Sequence, residues 1–318
     1  MDSSRRSFLV KSAIAGIALG TTGCTRAVNP GAVFPVRTKS PKNAIVIYFS
    51  QTGHTKRMGR LIAKTWEKAG IKADARDVRD IGPSVLADYD LIAAGSPVFY
   101  YEVPAYMQEW LKKAPRIEGT PVASFVTFGG KGGNQRNTGC MLLELLAEKG
   151  GVPMGMELFS NMSAFAPTWS SVSEDRVLLY RNLPDKATYE KTRNFARTVV
   201  QRVAEGKAIE IDREITFSEM WKGGTSIWFT KLMIGKHTID AKTCIKCGTC
   251  VEKCPADAID IEKASVNTGR CVGCLGCVNN CPVQAIDMTF TGNKVTGFNA
   301  FVKKHNIVIE EPEELAGT

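Results

Sequence analysis

Eight of the ten cysteines in the chain form two copies of one pattern. Each copy reads C-x2-C-x2-C-x3-C-P, with a proline directly after the fourth cysteine. The members are Cys244, Cys247, Cys250 and Cys254 in the first copy and Cys271, Cys274, Cys277 and Cys281 in the second. Thiolates at this spacing converge on one iron–sulfur cubane, and backbone N–H groups of the tight loop stabilise its negative charge. The pattern therefore predicts two [4Fe-4S] clusters and a protein that moves electrons.

Structural zinc sites and disulfides are the other common uses of clustered cysteines. Zinc sites usually take two separated pairs of ligands, whereas each run here places four cysteines within eleven residues. Glycines suit a chain that wraps closely around a cluster, and Gly248, Gly273 and Gly276 lie inside the runs. The spacing favours iron–sulfur clusters over both alternatives.

Residues 237–290 resemble a bacterial two-cluster ferredoxin, a family that shuttles single electrons at low potential. The resemblance rests on the two cysteine runs with their prolines. In that family the fourth cysteine of each run binds the cluster of the other run. The resemblance therefore implies one cluster on Cys244, Cys247, Cys250 and Cys281 and a second on Cys271, Cys274, Cys277 and Cys254.

The N-terminus carries an export pattern. Arg5 and Arg6 precede a Phe-Leu pair and a lysine, and a short, weakly apolar stretch follows at residues 12–20. Residues 1–23 resemble a twin-arginine signal peptide, which exports proteins already folded around their cofactors. We expect an exported protein, either periplasmic or on the extracytoplasmic face of the cytoplasmic membrane.

Cys24 follows small residues and a glycine, as does the lipidated cysteine of bacterial lipoproteins. Thr21 stands where that family prefers leucine, so the alternative is an ordinary cleavage region that contains a cysteine. No apolar run approaches the roughly 20 residues needed to span a bilayer. Any membrane attachment is therefore expected through a lipid anchor on Cys24.

The segment before the cysteine runs must supply the larger scaffold. Apolar runs alternate there with amphipathic stretches. The sequence predicts strands at 44–49, 71–78, 90–96, 120–128 and 152–160, and helices at 54–69, 104–113, 138–149 and 184–205. Strands alternating with helices indicate a doubly wound α/β sheet, in which ligands bind at the carboxyl ends of the strands.

The loop after the first predicted strand has the composition of an anion site. It supplies hydroxyl groups, a glycine for close backbone approach and the N-terminus of a helix. The residues are Ser50, Gln51, Thr52, Gly53, His54 and Thr55. Simple capping of the helix by Ser50 or Thr52 is the alternative interpretation. We expect His54 to be a backbone donor rather than a proton donor.

This loop resembles the S/T-x-T-G-x-T loop of the flavodoxin family, which binds the FMN phosphate. The resemblance implies a five-stranded parallel sheet in the order 2-1-3-4-5. It also implies that the loops after the third and fourth strands surround the isoalloxazine ring. The predicted FMN-binding residues in these loops are Ser96, Pro97, Val98, Phe99, Tyr100, Phe128, Gly129, Gly130, Gly132 and Gly133. Phe99 or Tyr100 would cover one face of the ring.

Charge and remaining motifs exclude other classes. The formal net charge is +9, but basic and acidic residues interleave, so no nucleic-acid partner is expected. Residues 129–133 lack the G-x-G-x-x-G order of a dinucleotide site. Cys140 lies on a predicted helix beside apolar residues and is expected to be a core thiol.

The whole arrangement resembles the fusions of flavodoxin and ferredoxin found in anaerobic bacteria and archaea. We expect a signal peptide at 1–23, a connector at 24–42, a flavodoxin-like α/β domain at 43–205, a linker at 206–236, a small α+β ferredoxin domain at 237–290 and a tail at 291–318. Residues 161–183 are interpreted as a surface loop anchored by aromatics or as a lid over the flavin. The linker is expected to pack the two domains together, or to touch a membrane.

The expected function is that of an electron carrier between FMN, the clusters and external donors and acceptors, which are redox proteins or small molecules. No catalytic residue is predicted. The first alternative is a flavin-dependent reductase of a small molecule such as a quinone. The second is a binding module whose clusters are only structural.

Overall fold

The computed structural model of the protein describes residues 34–99, 102–130, 135–213 and 227–316. The predicted signal peptide and Cys24 lie outside these ranges, as do Tyr100, Gly132 and Gly133 of the predicted flavin loops. Within the described ranges, no helix has the length and apolar character that a membrane span requires.

A five-stranded parallel sheet organises the first domain, and its order β2-β1-β3-β4-β5 confirms the predicted one. The strands are β1 Asn43–Tyr48, β2 Lys72–Asp77, β3 Leu91–Pro97, β4 Pro121–Gly129 and β5 Val152–Asn161. The central strands are almost wholly buried because helices cover both faces of the sheet. The edge strand β2 is only half-buried, which agrees with its polar sequence KADARD.

Five helices accompany the sheet along the chain. They are α1 His54–Lys68, α2 Ala105–Lys112, α3 Gln135–Ala147, α4 Asp175–Leu178 and α5 Lys186–Glu205. Helices α1 and α5 pack on one face through residues such as Trp66 and Val199. Helices α2 and α3 pack on the other through residues such as Leu111 and Leu146. All carboxyl ends of the strands therefore meet at one edge, where the predicted flavin loops lie.

The second domain contains the cysteine runs and two small antiparallel sheets. Its elements are α6 Ile227–Met233, β6 Ile234–Ile239, α7 Thr249–Glu252, β7 Ile259–Asp260, β8 Ser265–Val266, α8 Gly276–Asn280, β9 Ile286–Phe290, β10 Asn293–Lys294 and α9 Phe298–Lys304. Strands β10, β9 and β6 form one sheet and β7 and β8 the other. Phe298 and Phe301 of α9 are buried in the same core as Val278 and Met288. The packing of this domain thus continues beyond residue 290.

The internal repeat of the cysteine runs is visible in the backbone. Residues with a left-handed backbone conformation recur in pairs that are 27 positions apart, the same offset as from Cys244 to Cys271. The pairs are Lys246 and Gly273, Gly248 and Leu275, Asp257 and Gln284, and Ala264 and Thr291. Left-handed backbone is costly for residues other than glycine, so its recurrence at non-glycine positions shows that the fold of each run imposes it.

Residues 161–183 connect β5 to α5 of the first domain and pack against the second domain. A π-helical turn at Thr168–Val172 places Trp169 in the core of the second domain. The Trp169 ring stacks on Phe301 with 4.7 Å between centroids, and its Nε1 donates to the Thr296 carbonyl over 2.8 Å. The aromatic residue noted in the sequence is therefore an anchor between domains.

The C-terminal strap, residues 310–316, returns to the first domain. Glu314 accepts hydrogen bonds from Arg193 on α5 and from Lys68 on α1, and Glu311 pairs with Arg57. The Arg193 guanidinium is the main reason why the pKa of Glu314 falls to about 2. The strap ties the C-terminal end of the second domain to the helices that cover one face of the large sheet.

Candidate redox centres

The predicted phosphate loop is buried at the carboxyl end of β1. Ser50, Gln51, His54 and Thr55 are each less than a tenth exposed. Gly53 has a φ of 90° and immediately precedes α1, and no side chain of the described residues caps that helix. The capping interpretation of Ser50 or Thr52 is therefore wrong. The first N–H groups of α1 point into the loop, as an anion site requires.

One polar atom in the loop supports an anion there. Ser50 Oγ is buried without a hydrogen-bond partner among the described residues, and its hydroxyl can donate to a phosphate oxygen. Gln51 Oε1 is also unpaired, but it can only accept a hydrogen bond, and it lies against the Gly276 position of the second domain. Leaving such an atom unpaired costs about 1–3 kcal/mol. A Cβ added at Gly53 would meet nothing within 4 Å, so space lies beside the loop. These features fit a phosphate group.

Both ring nitrogens of His54 are buried without a hydrogen-bond partner among the described residues, whereas the Thr55 hydroxyl is paired with a neighbouring strand. Burial, reinforced by the nearby Arg57, lowers the pKa of His54 to about 3, so its ring is neutral at physiological pH. The ring meets the edge of Phe298 at 5.5 Å between centroids. Thr55 Oγ1 lies 2.8 Å from Thr127 Oγ1, which links the loop to the end of β4.

The predicted flavin loops lie beside the phosphate loop. Ser96 and Pro97 end β3, and Val98 and Phe99 follow it. Phe128 and Gly129 end β4, and Gly130 follows it. Ser96 is fully buried, and its Oγ donates to the Pro97 carbonyl over 2.7 Å. Phe99 is half-buried and packs edge-on against Phe49 at 6.1 Å. A Cβ added at Gly130, whose φ is +85°, would meet nothing within 4 Å, which leaves its backbone accessible.

A cleft separates these loops from the second domain. Phe49, Phe99 and Tyr106 line one wall, and Val272, Cys274 and Pro255 line the other. The cleft is thus bounded by a predicted flavin residue on one side and a predicted cluster ligand on the other. An aromatic, flat group fits between such apolar walls.

The eight cysteines form two groups, and each group contains the first three cysteines of one run and the fourth cysteine of the other run. Cys244, Cys247, Cys250 and Cys281 line one cavity. Cys274 is surrounded by Cys271, Cys254 and Cys277, and burial raises its pKa to about 12. These are the groupings that the ferredoxin resemblance implies. The assignment of ligands to clusters stays a prediction.

Backbone N–H groups point at the sulfurs in the same way in both runs. In each, the residue two positions after the first cysteine donates to that cysteine, and the residue four positions after the fourth donates to the fourth. The four bonds are Lys246 N to Cys244 Sγ (3.4 Å), Gly273 N to Cys271 Sγ (3.4 Å), Ala258 N to Cys254 Sγ (3.3 Å) and Ala285 N to Cys281 Sγ (3.1 Å). Such donors stabilise thiolate charge, so they fit cluster ligands.

In the described ranges, no three Cys, His, Asp or Glu side chains converge closely enough to hold a single metal ion. Around one zinc ion, thiolates bound at about 2.3 Å would lie close together. Four thiolates around a cubane are spread more widely, because each binds a different iron.

Cys140 is separate from both centres. It is buried under the first domain's sheet, and its Sγ lies 3.3 Å from the Asp212 carbonyl. Burial is the main reason why its pKa rises to about 11. This environment agrees with a core thiol.

Arg79 and His237 also lie at the candidate centres, but neither belongs to a sequence motif and neither was predicted as a site residue. Arg79 contacts the phosphate loop, as its Nη2 donates to the Ser50 carbonyl over 2.8 Å. His237 is buried with its Nε2 3.6 Å from Cys277 Sγ. Both lie far in sequence from the groups they approach, so only the fold reveals them.

The comparison with family models matches residues 45–208, more than half of the chain, to a flavodoxin domain. The chain belongs to the flavodoxin domain family. Residues 237–288 match a 4Fe-4S dicluster domain. A flavodoxin domain implies FMN, and a dicluster domain implies 4Fe-4S chemistry. A comparison with curated proteins found no match.

Solved structures similar to this flavodoxin-family chain cover its first half. An archaeal flavodoxin is 20% identical, covers 51% of this chain and 98% of its own, and has a TM-score of 0.39. Oxidised flavodoxin 1 from Bacillus cereus is 18% identical, with coverage of 50% and 97% and a TM-score of 0.39. Rubredoxin oxygen:oxidoreductase from Desulfovibrio gigas is 18% identical, with coverage of 53% and 37% and a TM-score of 0.39.

Replacing Ser50 by alanine tests the phosphate loop. We expect Ser50→Ala to weaken FMN binding by about 10- to 100-fold, because one hydrogen bond to a charged group contributes roughly 1.5–3 kcal/mol. The FMN-free protein should unfold no more easily than the wild type, because the Ser50 hydroxyl has no partner in the described structure. Isothermal titration with FMN and thermal unfolding of both forms measure the two effects.

Ser124→Ala is the matched control. Its buried hydroxyl donates to the Gly139 carbonyl over 2.9 Å, away from the loop, so its loss should lower stability without changing FMN affinity. Wild-type FMN affinity in Ser50→Ala would contradict the assignment.

Serine substitutions test the crossed grouping of the cysteines. Cys281→Ser should alter the same cluster signal as Cys247→Ser, and Cys254→Ser the same signal as Cys274→Ser, with about half of the iron lost or converted in each case. Electron paramagnetic resonance of the reduced proteins and iron analysis provide the measurement. If Cys281→Ser instead reproduces the spectrum of Cys274→Ser, each cluster is bound within one run and the grouping is wrong.

Proposed function

We propose that this protein is an electron carrier that passes electrons between FMN, two [4Fe-4S] clusters and external redox partners. The observation that supports this most directly is the shared cleft. Phe99 of a predicted flavin loop and Cys274 of a predicted cluster loop line the same space. A protein that only stored the two cofactors would not need to bring their sites together.

The cofactors supply complementary chemistry when bound, since FMN exchanges two electrons in single steps and each [4Fe-4S] cluster exchanges one. The chain's own contribution is to bind and position them. The phosphate loop anchors one end of the FMN site through Ser50 and the N-terminus of α1. The N–H groups that face the cysteine sulfurs favour the negatively charged cluster.

Burial of the centres supports transfer within the chain. Cys250, Cys277 and Cys281 are buried, and the walls of the cleft are mainly apolar. Exclusion of water lowers the solvent reorganisation energy that accompanies a change of charge. Cys247 is exposed, so the group of Cys244, Cys247, Cys250 and Cys281 also has an edge toward solvent, where a redox partner can approach.

We also propose that the protein is exported through its twin-arginine pattern and anchored by a lipid on Cys24. The support is the sequence alone: Arg5 and Arg6 before an apolar stretch, and a cysteine after small residues. Export of a folded protein agrees with the need to insert clusters before translocation.

An anaerobic redox titration of the full-length protein loaded with FMN and iron–sulfur clusters tests the carrier function. We expect the flavin and cluster absorbances to equilibrate with each other rapidly, and electrons to pass to added redox proteins. Turnover with small organic acceptors such as quinones should be negligible. Saturable, specific reduction of one compound would instead establish a reductase, and clusters that keep their oxidation state while the flavin is reduced would establish a structural role.

Substitution of the arginine pair tests export. Arg5→Lys with Arg6→Lys should retain the protein in the cytoplasm, whereas Arg26→Lys, outside the pattern, should not. Cell fractionation with immunodetection measures the distribution. Cys24→Ser should release the exported protein from the membrane fraction, and unchanged membrane association in that variant would refute the lipid anchor.

A further inference from the structure

We infer that Arg79 is a positioning residue that locks the second cysteine group, Cys254, Cys271, Cys274 and Cys277, against the FMN site and raises the reduction potential of the cluster bound there. This inference rests on the proposed function, because it requires that FMN and the clusters are bound. It goes beyond that function by naming which cluster faces the flavin and which side chain couples the two sites.

Arg79 is held rigidly at the carboxyl end of β2. Its Nε and Nη2 each lie 2.8 Å from a carboxylate oxygen of Asp77, a two-pronged ion pair. The side chains of Arg79 and Asp77 are only 13% and 9% exposed. Burial alone would lower the pKa of Arg79, but its hydrogen bonds and charge interaction with Asp77 outweigh burial and raise that pKa. The guanidinium is therefore a fixed positive charge.

The same guanidinium joins the two domains. Nη2 donates to the Ser50 carbonyl of the phosphate loop over 2.8 Å, and Nη1 donates to the Lys253 carbonyl over 3.3 Å. Lys253 directly precedes the predicted ligand Cys254. The guanidinium also lies 5.4 Å from the centre of the Phe49 ring, which lines the cleft. One side chain thus touches the phosphate loop, the cleft wall and the cysteine loop.

A neighbouring contact shows that this side of the second domain is built to meet the phosphate loop. Gly276 lies between Cys274 and Cys277, and a Cβ there would lie 2.4 Å from Gln51 Oε1. The equivalent position in the first run, 27 residues earlier, is Thr249. Asn280 Nδ2 donates to the Gln51 carbonyl over 2.9 Å. At this position of the repeat, the run that faces the first domain carries glycine and the other run carries threonine.

The two cysteine groups consequently have different surroundings. Cys274 of the second group lines the cleft beside Phe49 and Phe99. In the first group Cys247 is exposed, and the adjacent Ile245 is 61% exposed. The second group is the one next to the flavin loops, and the first is the one next to solvent.

A fixed cation changes the potential of a nearby cluster. Adding an electron increases the negative charge of a four-thiolate cluster, so a guanidinium beside it stabilises the reduced form and raises the potential. Asp77 opposes this effect, because its charge has the opposite sign. Loss of the Arg79 charge should therefore lower the reduction potential of this cluster, and loss of the Asp77 charge should raise it.

The test is a potentiometric titration, monitored by electron paramagnetic resonance, of full-length protein loaded with FMN and clusters. We expect Arg79→Gln to shift one cluster step to lower potential and to leave the other unchanged. The shifted step should be the one altered in Cys274→Ser. Arg79→Lys should restore most of the wild-type potential, because it keeps the charge, and Asp77→Asn should shift the same step upward.

Arg193→Gln is the matched control. Arg193 also forms an ion pair between the two domains, with Glu314 at 2.9 Å, but it contacts the C-terminal strap rather than a cysteine loop. It should leave both cluster steps unchanged. If Arg79→Gln moves neither step, moves the step altered in Cys247→Ser, or is matched by Arg193→Gln, the inference is wrong. A shift of the same sign in Arg79→Gln and Asp77→Asn would also overturn it, since general loosening of the loop would produce that result.

Failure of the proposed function would look different. In that case the wild-type protein would bind no FMN or no iron, or the clusters would not change oxidation state at all. If the wild-type centres titrate normally and the Arg79 variants have the same cluster potentials as the wild type, the carrier function stands and the role of Arg79 is refuted.

Discussion

The close approach of the second domain to the phosphate loop determines the rest of the architecture. Gly276 accommodates this approach, since a Cβ there would lie 2.4 Å from Gln51 Oε1 and the end of the Gln51 side chain would have to move. In this close contact, the side chains of Asn280 and Arg79 bridge the domains with hydrogen bonds of 2.9 and 3.3 Å to backbone carbonyls. Because electron transfer weakens steeply with separation, a contact that brings the predicted flavin loops and a predicted cluster ligand to one cleft meets the geometric condition of the proposed function.

Apolar packing, more than charge, holds this arrangement. Exposed ion pairs such as Lys68 with Glu314 contribute only about 0–1 kcal/mol each. Trp169, in contrast, is 5% exposed within the core of the second domain although it belongs to the excursion after β5. Burying an indole ring of this kind contributes several times more than an exposed ion pair. Residues 161–183 therefore anchor the second domain through Trp169. The C-terminal strap adds the buried Leu315 and the ion pairs of Glu314.

Prediction from sequence succeeded where the physical cause is local. The predicted strands and helices of the first domain follow from runs and stripes of apolar residues, and their observed bounds lie within two residues of prediction except at the start of α3. The short helix α4 was not predicted. The interaction of Trp169 with Phe301 was out of reach because the two residues are far apart along the chain and neither belongs to a periodic pattern. The packing of α9 was missed for the same reason, since its apolar residues acquire their partners only when the second domain closes.

The sequence by itself determined the chemistry of this protein: the spacing of eight cysteines and a hydroxyl-rich loop before a helix specify what each segment can bind. Those properties are local, because a few consecutive residues fix how thiolates or N–H groups converge. Only the tertiary structure decided which cysteine group lies beside the predicted flavin loops and which lies near solvent. It also placed Arg79 between the phosphate loop and the second cysteine group. The two runs are nearly equivalent as sequences, and their difference arises from a single domain contact that no local pattern encodes.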